Sequence, residues 1–193
     1  WSQAQAIRII GDEMDKSQWI GAITRKDARL PEGRFSNAEF KKDYFVEKWS
    51  TVDTLSSKSI ILRKEFSNGG KTITDAVVYV SGMGHYEMLI NGKKVGDSMF
   101  APLCSEYSKT IYYNTYDVTS LLNKDVNAIN VLLGNGFFNV QRGDRYSKLM
   151  TSFGAPQMTM RMEINYSDGT SKTIVSDGSW KYAPSPVTFN SIY

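Results

Sequence analysis

Between positions 158 and 166 the chain places Met158, Met160, Met162, Ile164 and Tyr166 on every second residue, with Thr159, Arg161, Glu163 and Asn165 between them. A helix, whose repeat is about 3.6, cannot put these five side chains on one face; a pleated strand does so automatically. The segment therefore predicts a strand with one fully apolar face. That face needs an opposing apolar layer, which rules out an isolated hairpin and calls for a packed sheet. Asp168-Gly169 follows as a turn, and Thr173-Ile174-Val175 returns as the second strand of the hairpin. A second hairpin is predicted where His85–Ile90 runs into Asn91-Gly92 and then Lys93-Lys94-Val95. Asn and Gly both tolerate the positive φ of a tight two-residue turn, so this pair between apolar runs marks a strand reversal.

Further strands are predicted over Ile60–Phe66, Thr72–Ser81, Lys109–Tyr116, Asn127–Leu133 and Trp180–Tyr182, with Gly82-Met83-Gly84 breaking the run. Asp117–Leu122 has the form of a single helical turn, with the Asp117 carboxylate placed to accept from the backbone that follows. Strands at this spacing, with almost no helix, predict an all-β sandwich of the jelly-roll type. Regular βαβ alternation is missing, which argues against a parallel α/β sheet. The chain divides into a segment 1–58, a sandwich domain 59–183 and a tail 184–193. Within the first segment, Ala6–Ile10 and Gln18–Ala22 are apolar enough to pack on the sandwich or add strands to it. Residues 24–58 are a polar, mostly irregular excursion with a helical turn predicted near Glu39–Lys48.

Composition excludes several function classes. Lys+Arg and Asp+Glu number 23 and 20, for a net charge of +3, without the clustered basic excess of a nucleic-acid binder. No apolar run approaches the roughly 20 residues of a membrane-spanning helix. The single cysteine, Cys104, can form no internal disulfide, and the single histidine, His85, leaves no Ser-His-Asp triad and no histidine-rich zinc site. His85 is expected to be a packing residue at the start of a strand. The short glycine pairs at 82–84 and 134–136 precede no helix and do not fit a phosphate loop. Acids such as Asp117, Asp168 and Asp177 sit in turn contexts that account for them without catalysis.

Sugar binding fits the composition better. Aromatics make up 12% of the chain, and aromatic walls with a few placed polar groups are the general plan of a small-ligand site. The stretch 134–154 supplies Asn135, Phe137, Phe138, Arg142 and Asp144, and the stretch 97–107 supplies Phe100, Glu106 and Tyr107. Loop packing is the competing role for each of them.

Tyr79-Val80-Ser81-Gly82-Met83-Gly84-His85-Tyr86-Glu87, then Leu89-Ile90-Asn91-Gly92-Lys93-Lys94-Val95-Gly96-Asp97, then Leu132-Leu133-Gly134-Asn135-Gly136-Phe137-Phe138 form an ordered series of blocks. With Tyr113–Thr119, Tyr166–Gly169 and Asp177–Lys181, they resemble the N-terminal sandwich of bacterial α-L-rhamnosidases, glycoside hydrolase family 78, over roughly residues 60–193. The resemblance implies a jelly roll of the galactose-binding kind, preceding an (α/α)6 barrel that hydrolyses α-L-rhamnosides. The tail 184–193 would lead toward that barrel. The barrel holds the catalytic carboxylates, so none carries over and this domain is expected to be non-catalytic. Trp1 stands where Met would open a full chain, consistent with a removed signal peptide or a chosen boundary, and the resemblance implies a secreted or periplasmic location. Some family members bind rhamnose on this sandwich with calcium; by position, Glu87 and Asn135 become the candidates for both sugar and metal. No cofactor is required. Where the family usually has Trp-Tyr, this chain has Phe137-Phe138, a departure from the family's block. The Asn-Gly hairpin and the Asp117-Val118-Thr119 turn also suit the sugar-binding sandwich of family 2 glycosidases. A purely structural domain that buttresses the barrel is the remaining alternative.

Overall fold

The computed structural model describes residues 14–22, 33–34, 58–107, 109–140, 151–188 and 190. The helical turn expected near Glu39–Lys48 lies outside them. The described residues form a β-sandwich. Its four-stranded sheet has the order β11-β10-β3-β6, from β3 (Ile73–Met83), β6 (Tyr113–Asp117), β10 (Gln157–Tyr166) and β11 (Ser171–Val175). The five-stranded sheet runs β12-β2-β7-β4-β5, from β2 (Ile60–Ser67), β4 (His85–Ile90), β5 (Lys93–Lys94), β7 (Val126–Gly134) and β12 (Lys181–Pro184). A small third sheet joins β1 (Gly33–Arg34), β9 (Thr151–Ser152) and β8 (Asn139–Val140). The pairings are antiparallel throughout.

The alternating apolar residues meet between the two large sheets. Met158, Met160, Met162 and Ile164 of β10 are fully buried, as are Val78 and Val80 of β3 and Ile129, Val131 and Leu133 of β7. Each such side chain contributes about 1.5–3 kcal/mol by leaving water, so the inner faces drive the fold. Thr159 keeps the intervening position polar but not exposed, because Ser17 of the N-terminal segment bonds its hydroxyl at 2.9 Å. That segment lies along β10: Ile20 and Met158 exchange backbone hydrogen bonds of 2.9 Å in both directions. Ile20 thus extends the sheet by one bridge.

Three local features differ from the sequence reading. The strand expected from Lys109 begins only at Tyr113, because pairing with β3 starts at Tyr113↔Ser81. The turn after β6 is a 3-10 turn, Thr119–Leu121, shorter than a helical one. Val118 holds the N-cap position, and Asp117 just before it accepts from the Thr119 N–H at 2.9 Å and from its hydroxyl at 2.7 Å. These bonds hold the carboxyl below the usual aspartate range. Finally, Gly82 and Met83 continue β3 rather than break it, and the break comes at Gly84 (φ 119°), where the chain crosses from the four-stranded to the five-stranded sheet. A side chain there would stand 2.2 Å from the Gly134 carbonyl oxygen. Asn91 and Gly92 take φ of 52° and 79°, the two positive values that the tight hairpin turn demands. No helix among the described residues is long and apolar enough to cross a membrane.

Candidate functional site

At the end of β4 and β7, on the outward face of the five-stranded sheet, the structure forms a cleft of about 320 Å³. The register explains which side chains reach it. His85 pairs with Gly134 and Glu87 with Leu132, and the inward neighbours Tyr86 and Met88 turn into the core. The β4–β5 hairpin returns Lys94 beside Glu87, where its ammonium meets the carboxylate at 2.8 Å. Ser98, Met99 and Phe100 fold over the opening. This loop is tied to β4 through the Tyr86 N–H, which donates to the Ala101 carbonyl at 2.7 Å. The far wall is Ser59, Val187 and Asn190.

His85 is the centre of the apolar wall. Its ring lies 5.6 Å from Phe100 and 6.0 Å from Phe137, the latter edge to face. Burial among these rings lowers the imidazole pKa, so the neutral form is favoured. Phe100 is 66% exposed and Met99 75%. Such exposure is unusual for large apolar side chains and presents an apolar rim to whatever enters. The cleft thus combines aromatic and aliphatic walls with one carboxylate, one ammonium and a few neutral polar groups. Its volume lies near the lower end of small-ligand sites.

The structure divides the residues proposed from sequence. Glu87 faces the cleft and Phe137 flanks it through His85. Asn135 does not: it is 1% exposed and spends its polar groups within the protein. Its N–H donates to Asn190 Oδ1 and its Nδ2 to the Asn190 carbonyl, both at 2.9 Å. Its Oδ1 accepts from Asn139 Nδ2 at 3.1 Å. Phe138 is also turned away, buried in a cluster with Tyr107 at 5.1 Å and Phe153 at 5.9 Å. Phe137 and Phe138 both sit in the turn between β7 and β8, which leaves Phe137 36% exposed and buries Phe138. Burial, with the Cys104 thiol beside it, pushes the Tyr107 hydroxyl pKa up. Tyr107 and Phe138 are therefore packing partners. Glu106 pairs with Lys109 at 3.1 Å on the surface. Arg142 lies outside the described residues.

Sequence reasoning passed over His85, Lys94 and Asn190. The hairpin register would have placed Lys94 next to Glu87's face; nothing local could have brought Asn190 there.

Calcium takes about 6–8 oxygen ligands, and the described residues do not fit it. Among them no three or more His, Cys, Asp or Glu side chains gather. Glu87 is held by an ammonium, and the Asn135 amide is enclosed by other bonds. Sequence position alone had suggested these two as metal ligands; they are not brought together for that purpose.

Comparison with known proteins gives a consistent result. The family model described as the alpha-L-rhamnosidase N-terminal domain matches residues 71–193. An alpha-L-rhamnosidase of Formosa agariphila is 35% identical over the whole chain, which spans 20% of that relative's length. The crystal structure of Streptomyces avermitilis alpha-L-rhamnosidase complexed with L-rhamnose superposes with a TM-score of 0.64 at 32% identity, covering 72% of this chain and 13% of that one. The alpha-L-rhamnosidase of Aspergillus terreus gives 0.62 at 36% identity, over 67% of this chain and 15% of its own. The chain thus covers a small part of relatives that contain other domains, and the match selects this sandwich over that of the family 2 glycosidases. On the family match and the shared fold together, the chain belongs to the α-L-rhamnosidase N-terminal domain family.

Proposed function

We propose that this domain is a non-catalytic, sugar-binding module of a multidomain α-L-rhamnosidase, and that the cleft at the β4–β7 end receives a terminal L-rhamnose or a similar neutral 6-deoxy sugar. The observation that carries the reading is the convergence of exposed Phe100 and Met99, the His85 ring, backed by Phe137, and the Glu87–Lys94 pair on one small cleft. An apolar sugar face and its methyl group suit the rings and Met99, while Glu87 and Lys94 accept from and donate to hydroxyls. The pair neutralises itself, which favours an uncharged ligand over a uronic acid. Hydrolysis needs two carboxyl groups about 5–10 Å apart. Glu87 is the one carboxylate lining the cleft among the described residues, so catalysis is assigned to an (α/α)6 barrel of the same parent chain. The parent then acts on terminal α-L-rhamnosides of glycans, in a secreted or periplasmic setting.

Calorimetric titration of the chain with L-rhamnose tests this. Millimolar or tighter binding is expected, unchanged by a chelator, with Phe100→Ala and Glu87→Ala each weakening it at least tenfold, or about 1.4 kcal/mol. Absence of heat at millimolar sugar would overturn the reading.

A second reading rests on a different observation. Leu103 is 77% exposed, and Ile111, Tyr112 and Tyr113 are 36%, 51% and 45% exposed. Clusters of exposed apolar side chains mark contact surfaces, so this stretch is assigned to packing against another domain of the same chain. Leu103→Ser would then lower the melting temperature of the full-length protein while leaving that of the present chain unchanged.

A further inference from the structure

The C-terminal stretch does more than lead away from the sandwich. It crosses the end of the five-stranded sheet and is pinned at two points. At the first, the Ser185 N–H donates to the Ser59 carbonyl at 3.0 Å, and the two hydroxyls lie 3.0 Å apart. Ser59 is itself buried and donates to the Leu133 carbonyl at 3.1 Å. At the second, Asn135 grips Asn190 twice, through its N–H and through its side-chain amide, both at 2.9 Å. Gly134 is shaped for this contact: a Cβ there would stand 2.7 Å from Asn190 Oδ1. Between the pins, Val187 is 41% exposed and, with Asn190, forms one side of the cleft. A segment that only connected domains would not need a buried amide and a side-chain-free position reserved for its terminal contact.

We infer that Ser185, Val187 and Asn190 act as a strap that completes the sugar site, with Asn190 as a positioning residue that holds Val187 against the cleft; the inference rests on the sugar-binding reading above. The strap's backbone position and the occupancy of the cleft are then linked. Loosening Asn190 removes the wall that the ligand needs. Asn190 acts through geometry: its Oδ1 and carbonyl are already engaged by Asn135.

The experiment measures L-rhamnose affinity by calorimetry and amide hydrogen exchange by NMR, in the unsubstituted chain and in Asn190→Ala and Val187→Ser. Asn190→Ala is expected to lose affinity at least tenfold and to expose the Asn135 amide to exchange. Val187→Ser, at a solvent-exposed position that does not threaten folding, is expected to lose about threefold while Asn135 stays protected. In the unsubstituted chain, sugar is expected to slow exchange at the amides of Ser185 and Val187. Affinity that survives both substitutions overturns the strap while leaving the sugar-binding reading intact. No binding by the unsubstituted chain overturns both. A purely structural role for Asn190 would move its exchange signature and melting temperature but not the Val187→Ser affinity.

Discussion

The two ends of β7 are both held by buried asparagines, and they are held differently. At its start, Asn127 is 1% exposed and works within its own neighbourhood. Its Nδ2 donates to the carbonyls of Asn123 and Asp125, and its Oδ1 accepts from the Asn123 N–H and from Asn91 Nδ2. Asn91 then donates to the Leu121 carbonyl and accepts from the Ala128 N–H. Asn68 extends the knot to the other sheet, accepting from the Tyr166 hydroxyl at 2.8 Å. The partners are strand ends and turns of the sandwich itself, so this end is closed. At the other end of β7, Asn135 is equally buried, but its chief partner is Asn190, 55 residues on and part of the cleft wall. The same residue type therefore seals one end of the sandwich and leaves the other dependent on a segment that comes from outside it.

The sharpest way to break this division is to remove each asparagine. Asn127→Ala deletes four hydrogen bonds in a buried setting, and should cost about 3 kcal/mol of stability in denaturant titration. Its L-rhamnose affinity should match the unsubstituted chain wherever the protein remains folded. Asn135→Ala should cost less, about 1–2 kcal/mol, yet weaken the sugar roughly as Asn190→Ala does. Equal effects of both substitutions on affinity would show that the ends are not independent.

A pH titration asks the same question more gently. Burial of His85 lowers its folded pKa below the ordinary 6.5. As pH falls through that value the unfolded chain takes up the proton first, so folding loses stability until the folded ring also protonates. The melting temperature should therefore drop modestly below about pH 6.5, and His85→Gln should flatten that slope. Glu87 and Lys94 share the cleft with His85. Sugar affinity should fall in parallel, because burial disfavours the charged imidazolium at the cleft wall. A slope that persists in His85→Gln would place the acid-sensitive group elsewhere.

The closed end was largely legible in the sequence, and the open end was not. Asn91-Gly92, Asp168-Gly169 and the methionine alternation of β10 are local patterns whose physics acts within a few residues. The Asp117 turn is legible for the same reason. The cleft joins Ser59, His85, Lys94, Phe100, Gly134 and Asn190, which no periodicity relates. His85 looked like a packing residue because rings that pack and rings that line a site are the same chemistry; only Phe100 and Phe137 arriving from two other loops distinguishes them. The sequence reading makes Asn135 a candidate for sugar and metal, whereas the structure buries it and bonds it to Asn190 of the cleft wall. Phe137 and Phe138 look equivalent in sequence, and only the turn after β7 leaves one exposed and buries the other.

The smallest expected effect lies at the closed end, where Asp168 tests how far local turn chemistry alone sets its electrostatics. The Thr170 hydroxyl and N–H bond the carboxylate at 2.6 and 3.0 Å, and Lys71 lies 3.0 Å away. Together they bring its pKa from 3.8 to about 2, the Thr170 hydroxyl first among the causes. Because the folded pKa is depressed, the associated stability is present above about pH 4 and disappears as pH falls through about 2. The group is fully exposed, so added salt should erode the Lys71 contribution and leave the Thr170 hydrogen bonds in place. Carboxyl-carbon NMR should thus find the Asp168 pKa rising further in Thr170→Val than in Lys71→Met, and neither substitution should alter sugar affinity. A larger shift from Lys71→Met would mean that the ion pair linking this turn to the start of β3, and not the turn itself, governs the closed end. The closure would then depend on the contact between elements, as it does at Asn190, and the contrast between the two ends would narrow to one of burial.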